Sequence, residues 1–220
     1  MTDSLVLGID TSTVVSVGLA RGAEVLQVAT VTDRMAHVEQ LTPLIRSALG
    51  AAGVRPFDLD QIVVGLGPGP FTGLRVGIAT ARVLASVTHT ALRGVCSLDV
   101  LAAQHAREDP AGEFLVATDA RRREVYWARD QTDGRRVDGP RVSLPAEVPQ
   151  LPTIGPGAAL YPDQLLGVLG PRVLDPGVLA SRGSALADAG SEPLYLRRPD
   201  AALPTRAKSV LTWRADRRGR

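Results

Sequence analysis

The sequence predicts an α/β fold built from two related lobes, and two observations carry that prediction. Short apolar runs of strand length alternate with stretches of helical period. One pattern also occurs twice: an apolar strand ends at an Asp, turns a short corner, and continues as strand, turn and strand. The first copy runs from Leu5 to Val31 and the second from Phe114 to Val142. Asp10 and Asp119 stand 109 positions apart, and in each copy the next strand resumes five residues later, at Val15 and Glu124.

The elements follow in order. Leu5–Ile9 is an apolar strand ending at Asp10-Thr11-Ser12-Thr13, Val14–Ala20 is a Val-rich second strand, and Val25–Val31 follows the Arg21-Gly22 turn. Over residues 35–49 the period changes, with Val38, Leu41, Ile45 and Leu49 at helical spacing; Pro43 inside that stretch should kink the helix or mark its effective start. Gln61–Leu66 is nearly continuous in its apolar character, as in a strand covered on both faces. The loop Gly67–Gly73 leads into a helix expected over Leu74–Ser86 with Thr72 as its cap. A strand over Thr90–Val95 and a helix over Ser97–Arg107 capped by Ser97 come next. A polar break at Glu108–Gly112 is the expected lobe boundary. Beyond it come strands Phe114–Thr118, Glu124–Arg129 and Arg136–Val142, then only two helix-like stretches, Tyr161–Leu169 and Gly177–Ala189. Strands, a helix and further strand–helix units in each of two lobes match an actin-like, or ribonuclease-H-like, duplicated architecture with mixed sheets. The expected division is residues 1–108, 109–199 and a basic tail, 200–220.

Composition narrows the class further. A chain of 220 residues that is 45% hydrophobic and 22% charged can bury a core and is too apolar to be disordered. Its net charge of +2 excludes a histone-like cationic coat, and since all cations but Lys208 are Arg, the bias reads as genomic. The single cysteine, Cys96, excludes a disulfide framework and a Cys-based zinc site. No apolar run nears the roughly 20 residues of a membrane helix, and Met-Thr-Asp-Ser is no signal peptide; a cytoplasmic protein without a membrane anchor is expected.

Five stretches carry candidate chemistry, each with a plainer reading beside it. Asp10-Thr11-Ser12-Thr13, between two strands, has the residue types that hold phosphate and metal-bound water at the corner of an actin-like ATPase; equally it is a Ser/Asx-rich hairpin turn. As a corner rather than a core position, Asp10 is expected to be dispensable for folding. Gly67–Gly73, between a buried strand and a helix, suits an anion, though without the Gly-Lys-Ser/Thr of a P-loop; a tight turn needs the same glycines. Gly73, Gly77, Ala81 and Ala85 form a small-residue stripe on a helix that is apolar nearly all round. Such a helix meets either a partner helix or the protein's own sheet. His37-Val38-Glu39-Gln40-Leu41 lacks the second His that a helical metal motif requires, so no metal site is expected and His37 reads as a partner-facing or capping residue. At the second corner, Asp119-Ala120-Arg121-Arg122 carries arginines where a phosphate-holding turn would carry glycines, as in a clamp that has lost one jaw; equally it is an ordinary exposed turn with solvated arginines.

Taken together, five blocks resemble the TsaB (YeaZ) family: Leu7–Thr13, His37–Ile45, Gly67–Gly77, Asp119–Tyr126 and Pro193–Arg198, of which Gly67-Pro68-Gly69-Pro70-Phe71-Thr72-Gly73-Leu74-Arg75 is the most specific. The resemblance implies an actin-like fold and a non-catalytic partner subunit. Its complex adds threonylcarbamoyl to an adenosine in the anticodon loop of tRNAs reading ANN codons. It implies as partners the larger paralogue TsaD, the ATPase TsaE and a second copy of the chain, with tRNA contacted mainly through the complex. It places His37, Leu41, Ile45, Leu74, Gly77, Ile78 and Ala81 at the partner interface, where a nucleotide is the one cofactor to consider. Asp10, Thr11, Ser12, Gly67 and Gly69 stand as candidate nucleotide or phosphate contacts. The competing function is an active actin-like ATPase or phosphotransferase. The chain departs from the family pattern at Pro70, where a small hydroxyl residue is expected; the loop thereby loses a donor and any phosphate role is weakened.

Overall fold

A computed structural model describes residues 3–31, 37–108 and 110–197. The basic tail 200–220 and the side chain of His37 lie outside the described residues. Strands β1 (Leu5–Asp10), β2 (Val15–Arg21), β3 (Glu24–Val31), β4 (Gln61–Gly65) and β5 (Ala91–Val95) form a sheet in the order β3-β2-β1-β4-β5. Strands β6 (Phe114–Asp119), β7 (Val125–Asp130), β8 (Arg136–Ser143) and β9 (Thr153–Ile154) form a second, in the order β8-β7-β6-β9. In both sheets the first three strands are an antiparallel meander and the next joins parallel beside the first. The repeat expected from the two Asp corners is therefore a repeat of topology.

Burial explains which segments became which element. The central strands β1 and β4 are almost wholly buried, whereas the edge strand β3 is half exposed. Helix α1 (His37–Ala51) turns Leu41, Ile45, Ala48 and Leu49 into the core and runs through Pro43 without ending there. Burial of that stripe outweighs the one backbone hydrogen bond the proline removes. Helix α2 (Phe71–Thr88) begins three residues earlier than expected. Pro70 is its N-cap, so Thr72 lies inside the first turn rather than capping it. Helix α3 (Ser97–His105) is capped at Cys96, and Ser97 turns its hydroxyl elsewhere.

The layers are α1 and α2, the first sheet, α3 with α5 (Pro176–Arg182), and the second sheet. The expected helix over 161–169 is absent; instead α4 (Pro156–Leu160) is a single short turn preceding it, and the helix expected over 177–189 stops at Arg182. Residues beyond the expected boundary also reach back to the first sheet. Helix α5 lies across β1, β2 and β3, and Ala189 and Leu194 donate backbone hydrogen bonds to Gly94 and Leu66 of the first lobe. The facing pair Gly8 and Gly18 makes this possible: a Cβ on Gly18 would stand 1.9 Å from the Pro176 carbonyl oxygen, and one on Gly8 2.9 Å from the Ala180 nitrogen.

Candidate functional site

Asp10 ends β1 with its carboxylate fully buried. Oδ1 accepts from the Ser12 N–H at 2.8 Å and the Ser12 hydroxyl at 2.7 Å, and Oδ2 accepts from the Ser97 hydroxyl at 2.5 Å. Ser97 Oγ in turn accepts from the Gly67 N–H at 3.1 Å. One carboxylate thus ties together the β1–β2 corner, the glycine loop and the start of α3. Burial raises its pKa above the ordinary carboxylate value, against the hydrogen bonds from Ser97 and Ser12. The Asp10 oxygens, expected to face phosphate or metal-bound water, are engaged from within, and a Cβ on Gly65 would fall 1.8 Å from Oδ2. Asp10→Ala, expected from sequence to spare folding, should instead strand three donors and cost about 2–4 kcal/mol. Urea unfolding measures this, and an unchanged midpoint would mean that the corner is free.

The glycines of the loop and helix have the same explanation. A Cβ on Gly69 would lie 2.5 Å from the Ser12 carbonyl oxygen, on Gly73 2.7 Å from that of Thr11, and on Gly77 2.2 Å from Thr11 Oγ1. The Thr11 hydroxyl donates to the Gly73 carbonyl at 2.8 Å. The stripe is a trough for the protein's own corner. Thr11 and Ser12 reach the cleft described below, whereas Gly67 and Gly69 are not among its lining residues.

At the second corner Asp119 Oδ1 accepts from the Arg121 N–H at 2.7 Å, and Arg121 Nη1 returns to Asp119 Oδ2 at 3.6 Å. Arg121, Arg122 and Arg123 have φ of 63°, 52° and 63°, three successive left-handed residues that each carry a Cβ. Between the corners lies an interlobe cleft of about 550 Å³. Thr11 to Val15, Thr72 and Val76 wall one side, and Arg121, Pro156, Leu160, Arg172 and Val173 the other. Among the described residues Asp119 is the one carboxylate on its lining, and it is paired with Arg121. Among the described residues, too, no group of three His, Cys, Asp or Glu could hold a metal ion.

Six of the seven residues expected at a partner interface can be placed, the His37 side chain lying outside the described residues. Leu41, Ile45, Leu74, Ile78 and Ala81 all belong to the core between α1, α2 and the first sheet, and Gly77 is buried against Thr11. Their side chains are thus taken up by the lobe itself. The apolar positions that α2 leaves outside are Val83, 64% exposed, and Val87, 60% exposed. The signal for them was the helix's lack of a polar face, which the stripe of small residues drew attention away from. Pro193–Arg197 forms a strap over the start of α2. The Tyr195 ring stacks on Phe71 at 4.2 Å, the Arg75 guanidinium lies 3.9 Å from the Phe71 ring centre, and Arg197 pairs with Glu124 of the second corner. Sequence reasoning missed Ser97 and the strap's clasp, since neither has a local signature.

Two lobes of repeated topology around a cleft define an actin-like protein. The family model described as "TsaD: tRNA N6-adenosine threonylcarbamoyltransferase" matches residues 30–156. The chain is 43% identical over 204 residues to an uncharacterised protein of Mycobacterium tuberculosis, covering 90% of this chain and 94% of that one. It is 37% identical over 97 residues to the tRNA threonylcarbamoyladenosine biosynthesis protein TsaB of Escherichia coli, covering 44% and 42% of the two. YeaZ from Pseudomonas aeruginosa superposes with a TM-score of 0.73 at 27% identity, over 88% of this chain and all of that one. The chain belongs to the TsaB/YeaZ family.

Proposed function

We propose that this chain is a non-catalytic partner subunit of the machinery that makes threonylcarbamoyladenosine in tRNA, acting with a TsaD-type paralogue. Membership of the family supports the place in the pathway. The observation that carries the non-catalytic reading is Asp10, buried and fully engaged by Ser12 and Ser97, beside a cleft on whose lining, among the described residues, the one carboxylate is Asp119, paired with Arg121. An ATPase needs a carboxylate free to order metal-bound water or to take a proton, and the two corners offer none. Self-association and recruitment of a TsaE-type ATPase belong to the same proposal, with tRNA reached mainly through the complex and the cytoplasm as its compartment. Among the described residues no helix is long and apolar enough to cross a membrane.

The docking surface proposed is the outer face of α2, where Val83 and Val87 stand one turn apart. Val83→Asp with Val87→Asp is expected to abolish co-purification with the paralogue while shifting the chain's own stability by less than about 0.5 kcal/mol, as surface changes do. Light scattering and thermal melting, run beside the pull-down, check both halves. Nucleotide turnover by the purified chain that Asp10→Asn eliminates would overturn the non-catalytic reading, and unimpaired binding by the double variant would move the interface.

A further inference from the structure

We propose that the interlobe cleft binds a small organic anion with an apolar body, of the chemistry of a medium-chain carboxylate, rather than a metal–nucleotide. Its size, about 550 Å³, is that of a small-molecule pocket. Its walls are mainly aliphatic, from Val14, Val15, Val76, Leu160 and Val173. Leu160 and Val173 are 54% and 52% exposed, two large apolar side chains left facing an open concavity.

The charge in the cleft has one sign to spare. Arg121 and Arg172 both line it. Arg121 shares Asp119 at 3.6 Å, longer than a hydrogen-bonded ion pair. Arg172 is exposed and has no hydrogen-bonding or ionic partner among the described residues. With one acid against two guanidiniums, the lining lacks a single negative charge, and a carboxylate head accepted by Arg172 supplies it. A metal–nucleotide fits poorly. It brings several negative charges and a cation that wants free carboxylate, while the corner that would receive its phosphates is filled by Gly69, Gly73 and Gly77 against Thr11 and Ser12. The chain's own segment 200–220, with five Arg and one Lys against two Asp, has the sign of the arginines and not of their partner. This inference concerns the chain alone and stands apart from the proposed role in tRNA modification.

The test uses the full chain, with octanoate as probe and octan-1-ol, octylammonium and magnesium–ATP as comparators, followed by amide NMR and calorimetry. Octanoate is expected to shift the amides of Thr11 to Val15 and of Ala159 and Leu160. Arg172→Gln, at an exposed site without a hydrogen bond or ion pair among the described residues, should weaken octanoate about tenfold, the loss of one charge-assisted contact, while leaving the octan-1-ol response unchanged. Ala159→Trp, which fills the cleft from an exposed position, should remove both responses. The proposal is overturned if millimolar octanoate leaves these amides unmoved, or if octylammonium binds as well. Equal binding of octanoate by Arg172→Gln, or displacement of octanoate by magnesium–ATP, also overturns it.

Discussion

Gly65→Ala is expected to cost about 3 kcal/mol or more and to remove the cooperative melt near physiological temperature. Gly65 ends β4 under the Asp10 carboxylate. A Cβ there would lie 1.8 Å from Asp10 Oδ2 and 2.7 Å from Ser97 Oγ. Neither atom can withdraw cheaply. Asp10 Oδ1 is held by two donors from Ser12, and Ser97 Oγ bridges Asp10 to the Gly67 amide. Relief therefore means breaking the buried node that joins corner, loop and α3. Gly50→Ala is the control. Gly50 lies in α1, and a Cβ added there would have nothing within 4 Å, so Ala should gain roughly 0.5–1 kcal/mol through helix propensity. Thermal and urea unfolding of the two variants should move in opposite directions. A Gly65→Ala protein as stable as its parent would show that the node is soft.

Asp130→Asn is expected to stabilise the protein, with a gain that depends on pH. Asp130 ends β7 with no exposed surface, and neither carboxylate oxygen has a hydrogen-bond partner. Burial pushes its pKa up to about 8, aided by Asp99 and Asp133 and opposed by Arg136. Arg136 is already committed, its Nε 3.1 Å from Asp99 Oδ1, and Asp99 is itself raised by burial. The sign follows from proton counting. Unfolded Asp130 releases its proton near the ordinary aspartate value of 3.8, whereas the folded group holds it up to about 8. Between those values the native state binds more protons, so stability falls as pH rises through the window and levels off above it. At about 1.4 kcal/mol per pKa unit, and with water penetration softening the desolvation, Asp130→Asn should gain about 2–4 kcal/mol at pH 8 and little at pH 4. Urea midpoints across that range measure the slope. A variant whose pH profile parallels the parent's would place the titrating group elsewhere.

These two residues mark where reading the chain stops working. Strand runs such as Leu5–Asp10 and Gln61–Gly65, the helical stripe of Leu41, Ile45 and Leu49, and the doubled corner at Asp10 and Asp119 were legible, because period and punctuation are local properties that neighbouring residues impose. The actin-like fold follows from them, and the family from the resemblance of five sequence blocks. The return of α5 and the strap to the first sheet was not legible, because it runs through Gly8, Gly18, Gly94 and Leu66, contacts between residues far apart in the chain. The use of each signal was hidden for the same reason. Asp10 has the chemistry of a phosphate corner, and only Ser97, 87 positions away, makes it an internal clasp. Gly69, Gly73 and Gly77 announce a close approach without saying by what; tertiary packing supplies Thr11 and Ser12. Asp130 looks like any strand-end acid until two lobes close over it. The sequence alone determined which segments form strands and helices and which family they compose. What faces each small or charged side chain was decided by the packing of distant segments, since desolvation and steric contact act through space and leave no period along the chain.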